Sequence, residues 1–138
     1  MNLKDFFYAD KHAAGTTMPI PLPSGADSGE WLRVVGPACD VGVKAARDYA
    51  RAYTAVKEEL APLEAKCAAK NDWTEYNTEM NWRADELNDI LASAVVIGWS
   101  LDDEFTPAAV AELIVQYKGL STYVAKHFHE SRKSLLEK

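Results

Sequence analysis

Two long runs of helical periodicity dominate this chain and limit the folds open to it. In the first run, apolar residues recur every three or four positions, which places them along one side of an α-helix. This stripe consists of Ala45, Tyr49, Ala52, Val56, Leu60, Leu63 and Cys67. Pro62 lies inside the run, yet the stripe keeps its phase beyond it. We therefore expect one helix kinked at Pro62, with two helices end to end as the alternative.

The second run follows Asn71-Asp72, a pair suited to capping a helix. Its apolar stripe consists of Trp73, Tyr76, Met80, Ala84, Leu87, Leu91, Ala94 and Val95. Gly98 is expected to end this helix, because glycine commonly follows the last helical residue. Two long amphipathic helices joined by a short polar turn predict an antiparallel helical hairpin over residues 38–98.

The first 37 residues have a different composition and contain four of the six prolines and four of the seven glycines. Strand-like runs at residues 5–9, 17–22 and 30–35 predict a small β-meander. The middle run contains alternating prolines, Pro19, Pro21 and Pro23. Proline has no backbone amide to donate, so this run is expected to be an edge strand or a polyproline segment.

Residues 98–114, "GWSLDDEFTPAAVAELI", contain three consecutive acids before a third helix. Thr106 is a suitable N-cap, and Pro107 fits the first helical position. Negative charge beside a helix N-terminus is favourable by about 0.3–1 kcal/mol. We therefore interpret Asp102-Asp103-Glu104 as a turn and cap rather than as a metal or catalytic site.

A fourth helix is expected to begin at Leu120, after Lys118-Gly119 closes the third. The predicted fold class is α+β, mainly α, in a single domain of residues 1–138. It comprises a small N-terminal β-meander (1–37), a long antiparallel helical hairpin (38–98) and two short C-terminal helices (99–138).

Charge and composition argue against several classes of protein. The formal net charge of -6 argues against nucleic acid or an anionic membrane as a partner. No apolar run reaches the length of about 18 residues that a membrane span needs, and residues 1–10 do not resemble a signal peptide. These features predict a cytoplasmic protein. Cys39 and Cys67 are expected to be reduced, half-buried thiols.

The histidines and tryptophans give little support for catalysis. His127 and His129 are two positions apart on a helix and so point about 200° away from each other. His12 is expected to be a solvated loop residue. Nucleophile-elbow and phosphate-loop motifs are both missing from the sequence. Trp73 falls on a core stripe, whereas Trp82 lies near the opposite face of its helix and is a candidate contact. No enzyme activity, cofactor or metal is predicted.

Residues 95–133 carry a family resemblance. Their Gly98-Trp99 corner, the acidic segment 101–104, and Phe105-Thr106-Pro107 opening a helix resemble tail assembly chaperones of long-tailed bacteriophages and prophages. The Leu113-Ile114 pair and a final helix reaching Arg132-Lys133 continue this resemblance. The N-terminal half also fits, with a β-rich start followed by "EWLRVVGPACD" and a long helix.

The resemblance implies a non-enzymatic protein that binds the tape measure protein. In that family, the chaperone holds this long helical client soluble until tail tube subunits polymerise around it. The tail tube protein is a second expected partner, and homo-oligomers are a further option. The expected location is the host cytoplasm and not the mature virion.

A helix-in-groove contact would use apolar rows at three- and four-residue spacing. The predicted partner-binding residues are Trp82, Val110, Leu113, Ile114, Tyr117, Leu120, Tyr123, Val124 and Phe128. Since a buried face has the same periodicity, these rows could instead pack the last two helices onto the hairpin. Two other functions stay open: a structural virion or adaptor component, and a small metal-dependent enzyme using residues 102–104 with a histidine.

Overall fold

The computed structural model describes the backbone of residues 1–136 and the side chains of residues 1–131. It combines a three-stranded antiparallel sheet with helices, which confirms the predicted α+β, mainly α class. After a 3-10 turn at Leu3–Phe6, the elements are α1 (Ala9–Ala14), β1 (Thr16–Pro21), β2 (Asp27–Val34), α2 (Asp40–Glu59), α3 (Ala61–Lys70), α4 (Thr74–Val95), β3 (Val96–Trp99), α5 (Pro107–Gln116) and α6 (Leu120–Leu136). The sequence also contains Arg132, Lys133 and Lys138 near its C-terminus, where positive charge is expected to complement the dipole of the last helix; their side chains lie outside the described ones.

The sheet has three strands, as predicted, but one of them comes from a different part of the chain. Residues 5–9 do not form a strand: they run from the end of the 3-10 turn, which buries no residue, to the start of α1. The third strand is instead β3, which pairs with β2 so that Trp99 lies opposite Leu32. Gly98 therefore does not end a helix: it lies in β3 opposite Arg33, and α4 stops at Val95. The strand order β1-β2-β3 confirms that the proline-rich β1 is an edge strand.

The first long run is two helices end to end and not the favoured kinked helix. The break is at Leu60, whose backbone has φ -90° and ψ 0°. Pro62 sits in the first turn of α3, where its missing amide has no helical partner to lose. The N-cap of α4 is Trp73 and makes no side-chain capping hydrogen bond, so the predicted Asn71-Asp72 cap is wrong. The Asp72 carboxylate, one residue earlier, instead accepts hydrogen bonds from the Thr74 amide (3.1 Å) and hydroxyl (2.8 Å).

Most buried side chains form one core between the sheet, the end of α4 and the helices α5 and α6. A smaller cluster of Val56, Leu60 and Leu87 lies within the hairpin. Trp73 is not in either core: it is 38% exposed and contacts the edge of the Tyr76 ring. Trp73 lies at the end of the hairpin, where few other residues pack against it, so an apolar residue of the predicted stripe stays partly exposed there.

One histidine and both cysteines are more buried than the sequence suggests. His12 is 0% exposed in α1, and its Nδ1 accepts a hydrogen bond from the Ala38 amide at 2.8 Å, so the solvated-loop interpretation is wrong. Cys39 and Cys67 are free thiols, and both are fully buried rather than half-buried. The Cys39 sulfur caps α2 by accepting from the Gly42 amide at 3.4 Å.

The acidic segment forms the turn that leads into α5. The Thr106 hydroxyl accepts a hydrogen bond from the Ala109 amide at 3.0 Å, which confirms the predicted N-cap. The Trp99 indole donates to the Asp103 carbonyl at 2.9 Å and packs edge-on against Phe105. The side chains of Asp102, Asp103 and Glu104 are exposed to solvent. It is therefore the backbone of this segment that shapes the turn.

Replacing the α5 cap tests this account of the turn. Thr106→Ala is expected to lower the free energy of unfolding by about 1 kcal/mol, because the Ala109 amide loses its acceptor. Urea denaturation measures the loss, and Thr106→Ser, which keeps the hydroxyl, serves as the control. Equal losses in the alanine and serine variants would contradict the capping role.

Candidate partner-binding groove

An open groove runs between α6, with the turn that precedes it, and the edge strand β1, with the turn that follows it; we call it the α6–β1 groove. It has two depressions, one on each side of Tyr123. The first has a volume of about 740 Å³ and is lined by Leu22, Pro23, Tyr117, Lys118, Gly119 and Thr122. The second has a volume of about 380 Å³ and is lined by Met18, Pro19, Pro21, Lys126, His127 and Glu130. The groove is therefore built from elements about 100 positions apart in sequence.

Hydrogen bonds from α6, and from Tyr117 at the C-terminal end of α5, hold the groove together. The Tyr117 hydroxyl donates to the carbonyl of Pro21 at the end of β1. The hydroxyl of Thr16, at the start of β1, lies 2.6 Å from Nε2 of His127. On the other side of α6, the Ser121 hydroxyl donates to the Asp89 carboxylate of α4 at 2.6 Å. These bonds fix the position of α6 relative to β1 and to the hairpin.

The buried side of α6 packs into the core and does not line the groove. Leu120, Val124 and Phe128 are each 0% exposed and belong to the main core. Tyr123 lies on the outer side of the same helix and is 50% exposed. A half-exposed aromatic ring on a rigid helix is the kind of side chain that commonly anchors a protein contact.

The charges along the groove have both signs. Lys118 lies in the first depression, and Lys126 lies with Asp27 and Glu130 in the second. Partial burial lowers the pKa of His127 below its ordinary value of 6.5, and the nearby Glu130 only partly opposes this effect. His127 is therefore mainly neutral at pH 7, so its Thr16 contact is made by an uncharged ring.

The structure divides the nine predicted partner-binding residues into three groups. Buried positions, with exposure of 6% or less, are Val110, Ile114, Leu120, Val124 and Phe128. Leu113 and Tyr117 are partly buried against the core, and Tyr117 lines the groove. Tyr123 projects into the groove, and Trp82 is 67% exposed on a separate face of α4. Tyr117 and Tyr123 are thus the predicted residues that the fold brings together at an accessible surface.

The β1 wall of the groove was missing from the sequence-based site. The prolines of "MPIPLP" indicated an edge strand, but nothing in that segment indicates which helix lies beside it. Exposure of the apolar Leu22, at 45%, is visible only in the folded chain.

Across residues 1–136, no group of three or more His, Cys, Asp or Glu residues is placed to hold a metal ion. Over the same residues, the structure contains no helix that is both long and apolar enough to cross a membrane.

Comparison with known proteins identifies the family. A family model described as phage tail assembly chaperone matches residues 40–134, which is more than half of the chain. The match extends from the first residue of α2 into α6 and so includes the α6 wall of the groove but not β1. No curated protein and no solved structure matches the chain. The chain belongs to the phage tail assembly chaperone family.

Proposed function

We propose that this protein binds the tape measure protein and keeps it soluble while the tail tube assembles. The observation that carries the proposal is the α6–β1 groove, an accessible apolar surface within a member of the tail assembly chaperone family. A client with long apolar helices aggregates unless those surfaces are covered, and a groove with an aromatic anchor can cover one of them. Binding alone is sufficient for this role, so the proposal requires no catalytic step.

The contact is centred on Tyr123, with Tyr117 beside it in the first depression, and Leu113 on α5 is a further contact. The five buried residues of the predicted set support the contact indirectly, because they pack in the core and hold α5 and α6 in place. Trp82 provides a second contact on α4, where its indole is 67% exposed. The tail tube protein and a second copy of the chain are further partners to test in the same way.

The chaperone acts in the host cytoplasm and leaves before the particle is complete. The rival proposal is a structural component that stays in the virion through the same surfaces. Quantitative mass spectrometry of purified mature particles distinguishes the two. Absence of the chain from particles supports the chaperone, whereas a fixed copy number per particle supports the structural component.

Truncating the groove anchor tests the site. Tyr123→Ala is expected to weaken the complex with the tape measure protein about tenfold, because truncating a central interface aromatic costs roughly 1–2 kcal/mol or more. Size-exclusion co-elution and a titration of the two co-purified proteins measure this loss. Trp82→Ala is expected to give a smaller, independent loss, since it lies on a different helix face.

Tyr53→Ala is the matched control, because Tyr53 is 42% exposed on α2, away from the groove. This variant should bind like the unmodified chain. Equal weakening by Tyr123→Ala and Tyr53→Ala, in variants with unchanged circular dichroism, would remove the groove as the binding site.

A further inference from the structure

We propose that the α6–β1 groove accepts an amphipathic helix of the tape measure protein whose two large apolar side chains are seven residues apart. One side chain would enter the depression on each side of Tyr123. This inference rests on the proposed function, and it adds the conformation and the spacing of the bound segment.

The spacing follows from the positions of the two depressions along α6. Gly119 and Thr122 line the first depression, and Lys126 and Glu130 line the second. Thr122 and Glu130 are eight residues apart on α6, which is about 12 Å along the helix at 1.5 Å per residue. Two side chains seven apart on a bound helix span about 10.5 Å. In an extended segment, side chains three apart span about 10 Å, so spacing alone leaves both conformations open.

The prolines of β1 distinguish the two conformations. An extended segment binds a sheet edge by backbone hydrogen bonds to its amides and carbonyls. In β1, Pro19 and Pro21 have no amide hydrogen, and Pro23 follows directly after the strand. Residues two apart in a strand direct their amides to the same edge, and an edge-strand proline directs its N–H side to solvent, so an added strand would find no donor at Pro19 or Pro21. A helix needs no donor from the groove, because its own backbone groups are already paired.

Charge at the first depression adds a feature of the partner. Its charged side chain is Lys118, and the N-terminus of the 17-residue helix α6 lies beside it. Both favour negative charge. The second depression has Lys126 with Asp27 and Glu130 and has no such preference. The bound helix should therefore carry an Asp or Glu next to the apolar residue that fills the first depression.

Site-specific photo-crosslinking tests the inference on the complex itself. p-Benzoylphenylalanine is placed at Thr122 in one sample and at Glu130 in another; both side chains are exposed, and the two positions are eight residues apart on α6. Each chain is co-expressed with the tape measure protein, irradiated and analysed by mass spectrometry. Crosslinks from the two positions are expected six to eight residues apart within one client segment, with an acid beside the Thr122 crosslink. The same group at Thr54, exposed on α2, is the control and should give no crosslink to that segment.

The outcomes separate this inference from the proposed function. A complex whose two crosslinks lie about three residues apart overturns the helical mode, and a complex with crosslinks in unrelated segments overturns the two-anchor mode. In both cases the chaperone function stands. If no complex forms with a folded chain, the proposed function fails and this inference fails with it.

Discussion

Phe128→Ala is expected to lower the free energy of unfolding by about 3–5 kcal/mol, the usual cost of truncating a buried phenylalanine. Phe128 is 0% exposed in the middle of α6 and belongs to the core that joins this helix to the sheet and to α4. Truncation would leave a cavity that the sheet and α4 cannot close without moving. Chemical denaturation measures the change, provided that the dependence on denaturant concentration stays the same.

Tyr123→Ala is the matched control for Phe128→Ala, because both residues are aromatic and lie on α6. Tyr123 is 50% exposed and should lose less than half as much stability. Similar losses in the two variants would contradict the burial described here. The comparison also decides how binding is tested: Phe128→Ala affects the fold, so only the Tyr123 variant reports on a partner contact.

Gly42→Ala is the second large expected effect, with a loss of about 2–3 kcal/mol in the free energy of unfolding. A Cβ atom at this position would lie 2.1 Å from the Gly36 carbonyl oxygen and 2.9 Å from the Pro37 Cα. Both are backbone atoms, so the loop before α2 must move. That movement would also disturb the Cys39 sulfur, which lies 3.3 Å from the Gly36 oxygen and caps α2.

The alanine also gains helix propensity at this position, by up to about 1 kcal/mol relative to glycine, and this gain opposes the loss. Gly98→Ala is the control, because its Cβ would meet only the Arg33 Cβ at an ordinary 3.7 Å. Thermal unfolding of the two variants, followed by circular dichroism, measures the difference. A Gly42→Ala protein as stable as Gly98→Ala would show that the loop yields without cost.

Local patterns predicted the helices well, because the signals lie within a few residues of each other. The apolar stripes gave the hairpin, and Thr106-Pro107 gave the start of α5. Pro62 was harder to interpret, because a kink and a break keep the same phase of the stripe. The kink and the break differ only in the backbone at Leu60. There the helical conformation of α2 has ended, and α3 begins at the next residue.

Features that depend on distant residues were missed. β3 is short, and its partner β2 lies more than 60 positions earlier, so the apolar run at 95–99 was interpreted as the end of a helix. His12 is buried because an amide 26 positions away reaches its ring. The groove has the same origin: Thr16 and His127 are separated by 111 positions, and only the fold places them 2.6 Å apart.

Only part of the candidate site was predicted, again because the missing information is not local in sequence. Helical periodicity marks every apolar position on α5 and α6, but it does not tell which side faces the core. Val124 and Tyr123 are neighbours in sequence, yet one is fully buried and the other half-exposed. The direction of burial follows from where β1 and α4 pack against α6, and that information is not local.

The most direct test of the central claim is the solubility of the tape measure protein. The measurement is the fraction of this protein in the clarified supernatant, expressed alone, with the unmodified chain, and with the Tyr123→Ala chain at equal levels. We expect a large soluble fraction with the unmodified chain, a smaller one with the variant, and mostly insoluble protein when the tape measure protein is expressed alone. An equal soluble fraction with and without a folded, well-expressed chain would contradict this claim.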